Sequence, residues 1–277
     1  MRGNVKATAA ASPQPGGREA QKSSVQSLAK GLRVLEAFGA DEDALTITEL
    51  AERAQLDPGT TFRMLNTLVH LGYVRRVEKR RYELSLKVLD LGFNAIGRRD
   101  LRAVVRPVLR SLVGGRIEAA SFGVLDGANV VYVERVRAGL TRLGVDIRIG
   151  SGIPAAVNVL AHAILAYLPA SDLDQVLASD AAPAGYPVTS RALLLPQLAK
   201  VRADGFAASS SQISAGLDVL AAPVLDEGGY PIAGISIAAP SIVCTAAQMR
   251  DLMLERLQAA AKDIAKVMQM SGSSRVG

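Results

Sequence analysis

The sequence predicts an α+β protein in two parts, an N-terminal winged helix-turn-helix and a C-terminal α/β domain, joined by a helix. Three observations predict it. Two short amphipathic helices run directly into a basic hairpin between Ile47 and Leu84. A longer helical seam then begins near Lys87, and beyond Pro107 two β-rich pairs are centred on Asp126-Gly127 and Asp226-Glu227-Gly228-Gly229. With 277 residues there is room for two domains, and a hydrophobic fraction of 49% is enough to build a core in each.

The first helix is predicted from Val25 to Phe38, with Leu28, Leu32, Leu35 and Phe38 on one stripe, Ser23 or Ser24 opening it and Gly39 stopping it. The second runs roughly from Thr48 to Ala54, turns Leu50, Ala51 and Ala54 inward, and takes Thr46 or Thr48 as its cap. Gln55-Leu56-Asp57 has the length of a helix-turn-helix turn. The third starts at Pro58: an aspartate oxygen at position 57 accepts from the orphan N–H groups, and proline at the first helical position has the required φ. Phe62, Leu65, Leu68 and Val69 recur on its core face. Thr60, Arg63, Thr67 and His70 fall opposite, flanked by Gly59 and Asn66. After Gly72 the period becomes two, through Tyr73–Val77, a turn near Glu78-Lys79-Arg80, and Arg81–Leu84, which makes a small wing.

Between Arg53 and Lys87 eight Lys or Arg face three acids. That density suits phosphate contacts, which supply most sequence-independent affinity for DNA. A helix-turn-helix outline or a basic hairpin alone is ambiguous, but both in one contiguous order point to DNA binding. The net charge of +6 is consistent with a polyanionic partner.

A connecting helix is predicted from Lys87 to Val105, with Leu89, Phe93, Ile96 and Val104 as its seam and Pro107 restarting the register. Ala119–Leu125 and Asn129–Val136 form one hairpin, Thr141–Ile149 is a candidate third strand, and Leu217–Val224 pairs with Pro231–Ala238. Asn158–Leu168 and Ser190–Ala203 have helical spacing, and Thr245 opens a last helix through Met268. A sheet with helices packed on it follows.

Other function classes find little support. A single cysteine, Cys244, forms no intrachain disulfide and reads as a small buried apolar residue, and His70 and His162 are far apart in sequence. No His, Cys or carboxylate spacing resembles a metal site, and no cofactor motif is present. His162 reads as a satisfied core or surface histidine. Met1 to about Ser24 is Ala-, Gly-, Pro-, Gln- and Ser-rich and is expected to be a disordered tail, as are residues 271–277. No apolar run reaches a membrane span, so a cytoplasmic protein is expected. An enzyme with an appended DNA-binding module and a ligand-independent DNA binder remain as rival classes.

The order Ser27-Leu28-x-Lys30-Gly31-Leu32-x-Val34-Leu35, Leu50-Ala51, Thr60-Thr61-x-Arg63-x-Leu65-x-Thr67-Leu68, Gly72-Tyr73-Val74, Arg81-Tyr82-x-Leu84 and Leu89-x-Leu91-Gly92 resembles the isocitrate lyase regulator (IclR) family of bacterial transcription factors. The resemblance continues through Arg106-Pro107-x-Leu109, Gly150-x-x-Ile153-Pro154, Ala163–Ala166, Gly205-Phe206-Ala207 and Gly216-Leu217-x-x-Leu220–Val224, covering Val25 to about Met268. It implies a winged helix-turn-helix, a linker helix that helps dimerise, and a GAF-like effector-binding domain. The implied partners are an operator in double-stranded DNA, a small organic effector, and further copies in a homodimer or homotetramer. Catabolic operons, including those of aromatic acids, are the implied targets.

Carried over by position, Gly59, Thr60, Thr61, Arg63, Asn66 and Thr67 match the recognition helix, and Arg75, Arg76, Lys79, Arg80 and Arg81 suit DNA-backbone contacts. Arg63 suits a bidentate contact to guanine, or equally a phosphate or a fold contact. Asn158, Val159, Leu160, Ser209, Leu217, Val219 and Ser236 match effector-contacting positions. Val159-Leu160 replaces a smaller pair and is expected to narrow the space, although helix-start N–H groups remain available in principle to an anion. Ser209 stands where some members carry an acid, and Ser209–Ser211 also reads as a plain strand edge. The pocket is expected to be apolar with a few neutral hydroxyl and amide groups, suited to a small, mostly apolar organic acid or phenol.

Overall fold

A computed structural model describes residues 25–39, 44–77, 80–95, 99–138, 147–178, 187 and 189–270. The chain divides into two compact units, 1–95 and 96–277. The expected tails, Ile96, Lys79 and residues 141–146 of the candidate third strand lie outside the described residues, and Ile147–Gly150 form no strand.

In the first unit, helices α1 (Gln26–Glu36), α2 (Ile47–Arg53) and α3 (Pro58–His70) precede strands β2 (Val74–Val77) and β3 (Arg81–Leu84), with a short β1 (Leu45–Thr46) completing a sheet of order β1-β3-β2. Thr46 caps α2 through a reciprocal box. Its Oγ1 accepts from Glu49 N at 3.4 Å and Glu49 Oε2 accepts from Thr46 N at 2.7 Å. Asp57 caps α3, accepting from Thr60 N at 2.8 Å, with Pro58 at the first helical position. Val34, Leu45, Leu50, Leu65, Leu68, Val74 and Tyr82 form the core.

Two assignments to that core are corrected. Leu28 and Leu32 of α1 are 63% and 49% exposed, while Leu35 and Phe38 of the same stripe pack at the edge of the core and Val34 is buried in it. Phe62 of α3 is 47% exposed, whereas Thr60 and Thr61 are buried. Helical spacing defines faces but not the rotation of the helix about its axis. Here Thr61 sits inward and donates its hydroxyl to Asp57 O at 3.0 Å, extending the capped turn.

The expected single connecting helix is described as two segments, α4 (Lys87–Ala95) in the first unit and α5 (Arg99–Leu112) in the second. Pro107 lies inside α5 rather than ending it. It sits on the exposed side of the helix, where water can satisfy the carbonyl that a missing N–H leaves over.

The second unit is an antiparallel six-stranded sheet of order β6-β5-β4-β9-β8-β7. Its strands are β4 (Ala119–Asp126), β5 (Asn129–Arg137), β6 (Gly152–Pro154), β7 (Ala207–Ser210), β8 (Leu217–Leu225) and β9 (Pro231–Pro240). The two predicted hairpins are β4–β5 and β8–β9. On one face α5 and α9 (Ala246–Met270) pack Val105, Leu109, Leu257 and Ile264 onto Phe122, Ile235 and Ile237. On the other, α6 (Val159–Leu165) and α8 (Arg191–Asp204) pack Leu160, Ile164, Leu194 and Leu198 onto Val130, Tyr132 and Ala221, with α7 (Ala170–Ala178) at the side.

α6 lies close to the sheet because Gly123 and Gly234, opposite each other on β4 and β9, present no side chain to it. A Cβ at Gly234 would stand 3.0 Å from Leu160 Cδ2 and 3.2 Å from the Leu160 carbonyl. Leu160 fills this notch.

Candidate functional site

The exposed face of α3 carries Gly59, Phe62, Arg63, Asn66, Thr67 and His70. Thr67 donates to Arg63 O at 3.1 Å, so its hydroxyl is bound to the helix itself. Thr60 and Thr61 present no side chain to this face.

In the wing, Arg75 is ion-paired with Glu83, its cross-strand neighbour, and Arg81 donates to Ala44 O at 2.8 Å and lies 3.9 Å from Glu49. Both guanidiniums therefore help to hold the small sheet. Arg76 and Arg80 are exposed, and Arg80 has a left-handed φ of 62° at the turn. Lys87 donates to Leu71 O at 2.7 Å and lies 4.8 Å from the centre of the Tyr73 ring, which fastens α4 to the end of α3.

In the second unit a cavity of about 30 Å³ lies between the sheet and α6. Tyr132, Arg135, Asn158, Val159, Leu217, Val219 and Ser236 are among its lining, together with Ile147 and residues from Ser211 to Ser214. Five of the seven expected effector positions thus meet there. Leu160 is not one of them, since its side chain fills the glycine notch. Ser209 faces a separate groove of about 580 Å³, with His162, Lys200, Asp204 and Arg250.

Asn158 serves as the cap of α6. Its Oδ1 accepts from Leu160 N at 2.9 Å and Ala161 N at 3.3 Å, and its Nδ2 donates to the Tyr132 hydroxyl at 3.0 Å. Two of the helix-start N–H groups expected to be available to an anion, those of Leu160 and Ala161, are bound by this side chain instead.

Neither are the polar groups all neutral. Arg135 lines the cavity and donates from Nη1 to Ser121 Oγ at 2.7 Å. Spacing along β5 did not reveal it, because strict alternation puts Tyr132 and Arg135 on opposite faces. A bulge resets the register: Phe122 pairs with Glu134 but Gly123 with Tyr132, so Val133 is the extra residue. Val133 and Glu134 both turn towards α5, and Arg135 returns to the cavity side.

Glu134, fully buried, accepts from Arg102 Nε at 3.0 Å and Arg106 Nη1 at 3.1 Å, both on α5. His162 is buried with Nε2 2.8 Å from Ala156 O, and burial holds its pKa below the usual value despite that bond. Burial would raise the pKa of Asp218, but hydrogen bonds from Ser241, Ser210 and Ala246 N outweigh it and hold the carboxyl below its ordinary range. Among the described residues no cluster of His, Cys, Asp and Glu is arranged to hold a metal, and no helix is long and apolar enough to cross a membrane.

Comparison with known proteins agrees with this architecture. Residues 27–78 match the IclR helix-turn-helix domain and residues 93–266 the bacterial transcriptional regulator IclR C-terminal domain. The HTH-type transcriptional regulator KdgR of Escherichia coli (strain K12) is 32% identical over 225 residues, covering 80% of this chain and 85% of that protein. A putative transcriptional regulator, RHA06195 of Rhodococcus sp. RHA1, superimposes with a TM-score of 0.73 at 30% identity over 90% of this chain and all of that one. An IclR homologue of Microbacterium hydrocarbonoxydans, crystallised with 4-hydroxybenzoate, gives 0.72 at 25% identity, covering 88% of this chain and 99% of that one. The chain belongs to the IclR family of bacterial DNA-binding transcriptional regulators, and is not an enzyme.

Proposed function

We propose that the protein controls a catabolic operon in response to a small organic effector, aromatic or carboxylic, bound in the cavity beside α6. The observation that carries this reading is the cavity's lining, where Arg135, the Tyr132 hydroxyl and Ser236 meet apolar walls from Val159, Leu217 and Val219. The relative crystallised with 4-hydroxybenzoate supports an effector of this kind.

DNA recognition falls to the exposed face of α3. Arg63 and Asn66 have the side chains for base edges, and Phe62 suits a thymine methyl. Gly59 lets the backbone approach closely, Thr67 lies alongside, and Thr60 and Thr61 support the helix from inside. Arg76 and Arg80, with Lys79 between them in sequence, are the phosphate contacts, and Arg75 and Arg81 chiefly brace the wing. A homodimer, or a pair of homodimers, working in the cytoplasm fits the two-fold operators that such helices read. Exposed Leu28 and Leu32 on α1 and Leu86, Leu89 and Leu91 around α4 support self-association. The effector acts by binding two arrangements of the oligomer with different affinity.

The test is operator binding by fluorescence anisotropy, with and without effector, in Arg63→Ala and Arg76→Ala. Arg63→Ala should relax sequence preference by about 1–3 kcal/mol. Arg76→Ala should weaken all sequences alike and reduce the salt slope by about one. The assignment fails if Arg63→Ala leaves specificity intact.

One observation favours a second reading. A cavity of about 30 Å³ holds a water or two. A regulator whose pocket is occupied by its own side chains binds DNA without an effector, and its operator affinity is insensitive to every small molecule.

A further inference from the structure

Resting on the reading of α3 as the recognition helix, we propose that Ser85 and Lys87 are positioning residues for DNA recognition. They clasp the end of α3 to the start of α4, and Lys87 serves the helix rather than a phosphate. The clasp begins where α3 ends. Gly72 turns the chain with a left-handed φ of 81°, and the N–H groups of Gly72 and Tyr73 return to Val69 O at 3.0 Å and Leu68 O at 2.9 Å. Three consecutive carbonyls then accept from the residues that open α4. Leu71 O accepts from Lys87 Nζ at 2.7 Å, Gly72 O from the Ser85 hydroxyl, and Tyr73 O from Ser85 N at 2.8 Å. The Ser85 hydroxyl also accepts from Lys87 N at 3.2 Å, at the first residue of α4, so one side chain joins the end of one helix to the start of the other.

Three contacts place Lys87 in this clasp. Its ammonium stands at the C-terminal end of α3, where the helix dipole favours a cation. It lies 4.8 Å from the centre of the Tyr73 ring. Its stem runs against Gly72, with Cδ 3.6 Å from where a Cβ of that residue would stand. Lys87 counts in the sequence among the basic residues that suit phosphate, yet a carbonyl and a ring already engage its charge. Each of these bonds is exposed and modest by itself, but on three adjacent carbonyls they hold α3 and α4 in one orientation. That orientation matters because α3 has 13 residues, a length of about 20 Å, and is held at the end opposite Gly59 and Arg63. A tilt of about 5° about the held end moves the first turn by about 1.7 Å, against a spread of about 0.5 Å over which an N–H···O bond forms.

The experiment uses the full chain and two duplexes, one selected by the wild-type protein from a random-sequence library and one unrelated to it, with fluorescence anisotropy followed across a salt series. Lys87→Met, which keeps most of the stem and removes the charge and the donor, should weaken the selected duplex by about tenfold and leave the unrelated duplex and the salt slope unchanged. Lys87→Arg should recover most of the loss, because it brings back a charged donor that can lie over Tyr73. Ser85→Ala should lose affinity in the same pattern; this variant tests the clasp even if Lys87→Met does not fold by circular dichroism. Equal weakening of both duplexes, with a salt slope reduced by about one, would make Lys87 a phosphate contact and overturn the clasp. So would unchanged affinity for both duplexes, or a loss that Lys87→Arg does not restore. Arg63→Ala separates the clasp from the reading on which it rests. If that variant keeps full preference for the selected duplex, the recognition-helix reading fails and takes the clasp with it. A loss of preference in Arg63→Ala without one in Lys87→Met or Ser85→Ala removes the clasp alone.

Discussion

At the residue scale, the tightest constraint is the glycine notch under α6. Gly123 and Gly234 are needed for want of a Cβ, since Leu160 and Ile164 occupy the space one would take. Gly234→Ala should destabilise the protein by about 1–3 kcal/mol, as overpacking does. Leu160→Ala, which empties the notch, should cost about 2–5 kcal/mol. Because the two side chains compete for one volume, the double variant should lose less than the sum, and urea unfolding of the three proteins measures the difference. Strict additivity would mean that the notch is not shared. Residues of this kind are hard to read from sequence. Val159 and Leu160 were visible as bulky side chains next to a pocket, but whether Leu160 faced the cavity or the sheet depended on two glycines distant in sequence. Phe62 misled for a related reason, since an aromatic at helical spacing joins the core stripe unless the helix is rotated by its neighbours.

At the element scale, local chemistry was read well and register poorly. Asp57-Pro58 placed the start of α3 at the right residue because capping is decided within one turn. Asp126-Gly127 and Asp226-Glu227-Gly228-Gly229 mark the two hairpins: the first has a two-residue turn and the second a longer loop, and each uses a glycine at positive φ, Gly127 and Gly229. The bulge in β5 depends on its pairing with β4, and nothing within β5 itself announces it. Without it Arg135 would lie on the opposite face; the expectation of a neutral pocket rests on Ser209 and on positions matched to the family, and Arg135 is not among those. The same bulge puts Glu134 beneath α5, where a buried carboxylate accepts from two arginines. Glu134→Gln should reduce stability by about 1–3 kcal/mol, the order of a hydrogen bond to a charged group, because the arginines stay partly exposed and water compensates them. Glu134→Ala should cost more, as Arg102 and Arg106 lose their acceptor altogether. Chemical denaturation checks the order, and equal stability of Gln and wild type would show that the charge contributes nothing.

At the scale of the whole molecule, stability should decline with acid in two steps. His162 is held neutral by burial, so the unfolded chain binds its proton more readily, and stability falls as pH drops below about 6.5, the unfolded value. Asp57 is held below its ordinary range by hydrogen bonds from Thr60, and Asp218 by the net effect of its own, so their contributions are present above about pH 4 and vanish as pH falls through the depressed values. His162→Gln should therefore flatten the upper step alone. A melting-temperature profile between pH 7 and pH 3 tests it, and an unchanged upper step in that variant would reassign it to another group. A division into an N-terminal helical unit with a wing and a C-terminal α/β unit is expected from where the hydrophobic period changes, and the chain has two compact units, 1–95 and 96–277, each with its own core. Less legible is how directly the two faces of the second unit are joined. Glu134 grips the helix that follows the DNA-reading unit in the chain, and Arg135 stands at the cavity wall. Their α-carbons are about 3.8 Å apart across a single planar peptide. The side of the sheet that meets α5 and the side that meets the cavity are thus joined at two consecutive residues of one strand.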